Sequence, residues 1–193
     1  MKNKTLIRYF FITGFLFIYL SNNFAQVIVD KNKGDYNQTK AGVMDGNLVQ
    51  TVFYNFGEVA DYNNQPTLSG VWPKGTNHTY VDGVAVIVQA EVTAKNGNTF
   101  HPLETNYYEY TRYNPANGIT YGWWPLPGYA NPLQSSVARS DTKTTWPSTW
   151  PDRPPDWNGQ WDGFFGKGIM NADLESYFVF DDNLDRDYIN KYN

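Results

Sequence analysis

The chain has 193 residues, no cysteine and an aromatic content of 18%. The lack of cysteine excludes disulfides, thiol catalysis and cysteine-ligated metal centres, so packing must supply the stability of the fold. The 15 Lys and Arg residues are outnumbered by 19 Asp and Glu residues and form no basic run, which excludes the charge pattern of a nucleic-acid-binding protein.

The first 25 residues have the pattern of a secretory signal peptide. Lys2, Lys4 and Arg8 precede an apolar run over residues 9–20, which is shorter than the about 20 residues that a membrane-crossing helix needs. Ala25 supplies the small residue that signal peptidase requires, so we place the cleavage site after it. We therefore predict a signal helix at residues 1–25 and no membrane contact after its removal. An uncleaved signal anchor is the alternative.

Residues 26–193 are predicted to form a single, mostly β domain that is secreted or held at a bacterial cell surface. Loss of three bases with the signal peptide changes its net charge from −4 to −7. We divide it into a strand-rich part (41–122), a Trp/Pro-rich strap (123–170) and an acidic end (171–193) that leads to a missing downstream region. The predicted fold is an antiparallel sheet or sandwich covered by this irregular strap.

The clearest strand pattern is Val84–Thr93, in which valines alternate with more polar residues. We predict a central strand with one buried apolar face. The following Asn96-Gly97 pair tolerates positive φ and is typical of a tight hairpin turn, so the chain should return as a second strand from Thr99.

Three further runs are rich in β-branched and aromatic residues. Leu48–Phe56, which Gly57 follows, is predicted to place Leu48, Val52, Tyr54 and Phe56 on one face. Tyr107–Tyr113 and Tyr177–Phe180 are weaker candidates. No long helical period follows the signal peptide, so helices should be scarce.

The strap is defined by its composition. Six of the seven tryptophans and seven of the 11 prolines fall between residues 123 and 161. Proline prevents regular strand ladders, so we expect an extended, partly polyproline-like segment. Trp124, Trp146 and Trp150 are expected to be buried against the sheet, whereas Trp157 and Trp161, in a polar and glycine-containing stretch, should reach solvent.

Several segments carry a resemblance to known proteins: Gly70–Gly75, Trp124–Pro132, Trp146–Asp152, Trp157–Gly168 and Asn171–Tyr177. Over about Ala41 to Asp187, the chain resembles the N-terminal region of large uncharacterised secreted proteins of the Bacteroidetes, Ignavibacteria and Marinimicrobia kind. The resemblance implies that this chain is a fragment, or the first part, of a longer exported protein. It implies no activity and no catalytic residues.

The strap also raises a carbohydrate-binding hypothesis. Flat indole rings stack on sugar rings, and neighbouring polar groups can bind hydroxyls; Trp157, Trp161 and Asp162 are the first candidates. The competing interpretation is that these rings are core and cover for a sheet without disulfides. Asp152, Asp156 and Glu175 could serve as a glycosidase acid and base, but their separation cannot be derived from sequence.

Calcium is the one cofactor that the sequence raises. Asp181, Asn183, Asp185 and Asp187 place oxygen ligands at alternate positions, as a calcium loop does. The EF-hand pattern fails, because its turn glycine is replaced by Arg186 and its bidentate glutamate by Tyr192. A looser calcium site and a solvated acidic loop remain the two interpretations.

The two histidines, His78 and His101, lie in no metal-binding or catalytic motif, and the chain lacks GxSxG, HExxH and phosphate-loop patterns. A non-catalytic protein is thus favoured over an enzyme. We expect a structural or adhesion module at the N-terminus of a larger exported protein, with its own downstream domains or surface glycans as partners. The alternative is a glycan-binding or glycan-cleaving domain.

Overall fold

Short antiparallel β-strands form the regular structure of the protein. This computed structural model describes residues 32–107, 113–114, 119–120, 122–157, 159–161 and 172–182. Within these ranges no α-helix occurs, which confirms that helices are scarce in the described part of the chain. The predicted signal helix lies outside the described residues. No helix among them is long and apolar enough to span a bilayer.

The described residues contain twelve strands and three one-turn 3-10 helices. The strands are β1 (Ala41–Met44), β2 (Thr51–Tyr54), β3 (Glu58–Val59), β4 (Val84–Ala85), β5 (Ile87–Gln89), β6 (Val92–Thr93), β7 (Thr99–Phe100), β8 (Leu103–Thr105), β9 (Tyr113–Asn114), β10 (Ile119–Thr120), β11 (Trp124–Pro125) and β12 (Phe180–Asp181). The 3-10 helices are Tyr36–Gln38, Pro66–Leu68 and Lys143–Thr145.

The main sheet has four strands in the order β1-β2-β3-β4, and every neighbouring pair is antiparallel. Its centre is β2, where Val52 and Phe53 are both buried although they point to opposite faces. Each face of β2 is therefore covered. Of the residues predicted to share one face, Val52 and Phe56 are buried, whereas Leu48 lies outside β2 and is exposed, so its predicted place on that face was wrong.

The predicted hairpin around Asn96-Gly97 is present. β6 pairs with β7, Gly97 has a φ of 84°, and the Ala94 amide donates to the Asn98 carbonyl at 2.9 Å. The same hairpin continues as the β5-β8 pair. Pro102, which has no amide hydrogen, lies between β7 and β8 and separates the two ladders.

The prediction that Val84–Thr93 is one buried central strand was wrong. The segment forms three short strands, of which only β4 joins the main sheet. Val86 is 44% exposed, and most apolar side chains of this hairpin reach solvent. Alternation of apolar residues indicated a strand, but whether its apolar face is covered depends on distant parts of the chain.

The strap begins as a strand and then runs irregularly along the sheet. β11 pairs with β12, which confirms strand structure at Phe180 within the predicted Tyr177–Phe180 run. Further on, the Val137 amide donates to the Ala41 carbonyl of β1 at 3.2 Å. The Ser176 hydroxyl donates to the Ala138 carbonyl at 2.7 Å. Of the predicted Tyr107–Tyr113 strand, only Tyr113 is found in a strand, and residues 108–112 lie outside the described residues.

An arginine fixes the end of the main sheet to the strap. The Arg139 guanidinium donates to both carboxylate oxygens of Asp141, at 3.0 and 2.7 Å, and to Asp45 just after β1 at 2.9 Å. These hydrogen bonds raise the pKa of Arg139 and lower the pKa of Asp141. The Arg139 carbonyl also accepts the Trp146 indole N–H at 2.6 Å, so this residue orients the first tryptophan of the Trp-Pro-Ser-Thr-Trp-Pro stretch.

A buried amide joins three parts of the chain that are distant in sequence. Asn106, just after β8, is fully buried and donates through Nδ2 to the carbonyls of Phe56 at 3.1 Å and Trp123 at 3.0 Å. Its Oδ1 accepts the Trp123 amide at 3.1 Å, and the Trp123 indole N–H donates to the Phe56 carbonyl at 2.9 Å. The main sheet, the hairpin and the start of the strap thus meet at this network.

The residue before Trp123 must be glycine for this network to form. Gly122 has a φ of 67°, which disfavours side chains, and a Cβ placed there would lie 2.0 Å from the Asn106 Oδ1. The absence of a side chain at Gly122 therefore allows the Asn106 amide to reach the Trp123 backbone.

The different burial of two valines predicts different responses to the same substitution. Val52 is 3% exposed, so Val52→Asp should destabilise the protein by about 4 kcal/mol or more through an unpaired buried charge. Val86→Asp should change the free energy of unfolding by less than about 1 kcal/mol. Equilibrium denaturation of both variants measures this, and equal losses would show that the hairpin face is covered in solution.

Candidate functional site

The strap brings together an aromatic cluster that contains both tryptophans of the predicted glycan site. We define the tryptophan cluster as Trp146, Trp150, Trp157, Trp161 and Tyr177. Ring centroids are 5.4 Å apart for Trp146 and Trp161, 5.6 Å for Trp150 and Trp161, and 6.5 Å for Trp146 and Trp157. Trp150 also contacts Tyr177 at 6.2 Å.

Burial within the strap follows the prediction in part. Trp124 and Trp150 are buried as expected. Trp146, however, is only half-buried, and Trp157 and Trp161 are half-buried rather than exposed. The rings of Trp157 and Trp161 are only partly exposed, because both pack on Trp146.

Hydrogen bonds hold the indole groups of this cluster in place. Trp157 Nε1 donates to the Gln160 carbonyl at 2.7 Å. The Trp157 amide donates to the Pro154 carbonyl at 3.1 Å, so Trp157 is held from both sides along the chain. Trp161 Nε1 donates to Glu175 Oε2 at 3.0 Å. Glu175 in turn donates its backbone amide to the Ser140 hydroxyl at 2.8 Å, so the acidic end of the domain is tied to the strap.

A second carboxylate, Asp152, lies beside two tyrosines. Tyr177 donates its hydroxyl to Asp152 Oδ2 at 2.8 Å, and the charge of Asp152 also acts on Tyr129. The two tyrosine rings contact each other at 5.8 Å. Burial and the neighbouring Asp152 raise the pKa of Tyr129 to about 12 and also raise the pKa of Tyr177. Both phenols are therefore protonated donors throughout the neutral range.

The angles between the indole planes of the tryptophan cluster bear on the glycan hypothesis. The indole plane of Trp146 is inclined by 48° to that of Trp157 and by 52° to that of Trp161. The planes of Trp150 and Trp161 are inclined by 79°. Inclined rings that pack on one another do not form the flat platform that a row of sugar units would need. Asp162, the third predicted residue, lies outside the described residues, so this site remains a prediction.

The acidic residues considered for glycosidase chemistry have separate surroundings. Asp152 accepts from Tyr177 and Glu175 accepts from Trp161, and both Asp152 and Asp156 are exposed. The structure thus gives Asp152 and Glu175 roles in fastening aromatic side chains.

Of the predicted calcium ligands, only Asp181 is described, and its Oδ1 accepts the Gly34 amide at 2.9 Å. Asn183, Asp185 and Asp187 lie outside the described residues. No group of three or more His, Asp or Glu side chains suited to a metal ion occurs in the described ranges. The calcium site stays a prediction.

A small pocket lies between the first 3-10 helix and the strap, lined by Lys40, Asn55, Leu126, Tyr129 and Phe178 among others. Burial lowers the pKa of Lys40. Its ammonium group donates to the carbonyls of Asn131, at 3.3 Å, and Gln134. The lysine therefore links the start of β1 to the strap.

The histidines lie at the surface. His101 Nε2 is 3.1 Å from Glu91 Oε2 across the hairpin, and both side chains are largely exposed. His78 is also exposed and stands beside an aromatic pair that sequence reasoning missed, Trp72 and Tyr80. The available signal was the position of these two aromatic residues on either side of the turn-forming stretch 73–77.

The comparisons with known proteins do not relate this chain to a family. No protein family, curated protein or solved structure matches the chain.

The raised tyrosine pKa values predict a stability change at high pH. Below pH 10 the phenols are protonated in both states, so their contribution is fully present. As the pH rises through about 12, the unfolded chain loses these protons first and stability falls. Asp152→Asn removes a charge that raises both pKa values, so this variant should lose stability less steeply between pH 10 and 12.

Thermal unfolding across this pH range measures the effect, with Asp156→Asn as the matched control. Asp156 is exposed and lies in the same proline-rich stretch. The control should follow the wild type. An Asp152→Asn curve parallel to that of the wild type would show that the carboxylate does not set the tyrosine titration.

Proposed function

We propose that the chain is a non-catalytic structural or adhesion module at the N-terminus of a larger exported or cell-surface bacterial protein. The observation that carries this proposal is that carboxylates and indole N–H groups of the strap and of the acidic end are used for internal contacts. Asp152, Glu175 and the indole N–H groups of Trp146, Trp157 and Trp161 bind one another or nearby protein atoms. Groups held in this way stabilise a fold and have little freedom to serve a reaction.

The finer architecture we propose is an antiparallel sheet covered on one side by the strap, in the manner of a sandwich whose second layer is irregular. Three features support it. Val137 and Ala138 of the strap are buried next to β1. Phe178, in the acidic end that follows the strap, stacks on Phe53 of β2, with ring centroids 6.4 Å apart. Trp123 is anchored to the Phe56 carbonyl at the end of the same strand run.

Such an arrangement suits a protein that is exported without disulfides. Aromatic rings supply much buried apolar area, and prolines reduce the entropy that an irregular segment loses on folding. Downstream domains of the same protein and surface glycans are the partners we propose, and calcium bound by the acidic end is the one cofactor.

Partial exposure of Trp157 and Trp161 supports a second candidate function, glycan binding or cleavage at these rings with Asp162. The packing of these rings on Trp146 and their internal hydrogen bonds favour the structural role. Cleavage would require carboxylates that are released from their present partners.

The proposal predicts that the purified protein releases no products from polysaccharides. Cellulose, xylan, chitin and peptidoglycan are incubated with the protein, and new reducing ends are measured against a buffer blank. We expect no increase over the blank for any substrate. Product release that Asp152→Asn or Glu175→Gln abolishes, and that Asp156→Asn leaves unchanged, would overturn the non-catalytic proposal.

A further inference from the structure

An aromatic pair far from the tryptophan cluster is exposed to solvent. Trp72 is 52% exposed and Tyr80 is 65% exposed, and their ring centroids are 6.3 Å apart. The other six tryptophans are buried or half-buried. Two large aromatic side chains exposed side by side leave considerable apolar area in water.

The backbone around the pair fixes the rings on the outer face. Val71 exchanges hydrogen bonds with Gln50, at 2.7 and 2.9 Å, and is fully buried. The Trp72 amide donates to the His78 carbonyl at 3.0 Å, and the Tyr80 amide donates to the Gly70 carbonyl at 3.2 Å. Because successive side chains of extended backbone point to opposite sides, an inward Val71 places Trp72 outward.

The turn between the two aromatic residues is also held by hydrogen bonds. The Thr76 amide and hydroxyl both donate to the Pro73 carbonyl, at 3.1 and 2.8 Å. The Thr79 hydroxyl donates to the Pro66 carbonyl at 2.7 Å, which fastens the second arm to the neighbouring loop. Rings on such a braced turn lose little freedom when a ligand binds them, which favours affinity.

The surroundings of the rings are polar. Between Trp72 and Tyr80 the chain carries Asn77 and His78 and no carboxylate, while Lys74 and Thr76 donate to backbone carbonyls of the protein. His78 and Asn77 are exposed. A ligand that suits this surface has an apolar face for the rings and hydroxyl groups at its edge. A pyranose has both, since its axial C–H groups make the faces of the ring apolar and its hydroxyls lie around the edge.

We propose that Trp72 and Tyr80 form a saccharide-binding site that holds one pyranose unit at a chain end or branch. The planes of the two rings are inclined by 64°, which makes a corner rather than a flat platform. A corner contacts a single sugar unit on two sides, whereas coplanar rings would follow the flat face of a crystalline chain. The site deepens the proposed adhesion role and rests on it, because it supplies the glycan contact of a non-catalytic module.

The test measures the binding of soluble oligosaccharides by isothermal titration calorimetry and by tryptophan fluorescence. Cellohexaose, xylohexaose, mannohexaose and chitohexaose are the probes. The wild type should bind at least one of them, and Trp72→Ala and Tyr80→Ala should each weaken that binding at least tenfold. Both variants should unfold at the temperature of the wild type, because the rings they remove are exposed.

Trp157→Ala is the control for the rival site in the tryptophan cluster, and it should keep the wild-type affinity. The inference is overturned if no probe binds, if binding survives Trp72→Ala, or if Trp157→Ala alone abolishes it. Reducing ends are measured in the same samples. Product release would instead contradict the non-catalytic proposal, so the two failures are distinguishable.

Discussion

The buried amide of Asn106 is the interaction on which the arrangement of the parts depends. Its side chain binds the backbone of Phe56, at the end of the β2 run, and of Trp123, at the start of the strap. Backbone groups buried there without partners would each cost about 1–3 kcal/mol. The amide satisfies these groups and holds the start of the strap beside the end of the hairpin. Gly122 leaves the space that this contact requires.

From that point the strap is held by a series of polar contacts, most of which join a charged residue to an aromatic side chain. Arg139 binds both Asp45 beyond β1 and the Trp146 indole, Glu175 binds Trp161, and Asp152 binds Tyr177. Apart from the Arg139–Asp45 pair, each contact joins an aromatic side chain to a polar atom that sets its orientation. In a chain without cysteine, such contacts do the orienting work that cross-links do in many exported proteins. The same contacts engage the carboxylates of Glu175 and Asp152.

Local sequence signals predicted local structure well. The Asn96-Gly97 turn, the strand content and the scarcity of helices all follow from residue type and spacing over a few positions. Exposure did not follow, because the face of Val84–Thr93 is covered only if a distant segment packs on it, and alternation carries no information about that segment. The Asn106 network joins residues 17 and 50 positions apart and has no motif. The exposure of Trp72 and Tyr80 was not predicted for a related reason. The sequence around an aromatic residue near a proline does not show whether its ring is buried.

Equilibrium denaturation of Asn106→Leu tests the central claim most directly. Leucine keeps the approximate volume of asparagine but leaves the Trp123 amide and carbonyl buried without this partner. The account predicts a loss of at least about 3 kcal/mol in the free energy of unfolding, because two or more backbone groups lose their hydrogen bonds. Asn63→Leu, at an exposed asparagine, is the control and should change it by less than about 0.5 kcal/mol. An Asn106→Leu protein as stable as this control would contradict the claim that the buried amide holds sheet, hairpin and strap together.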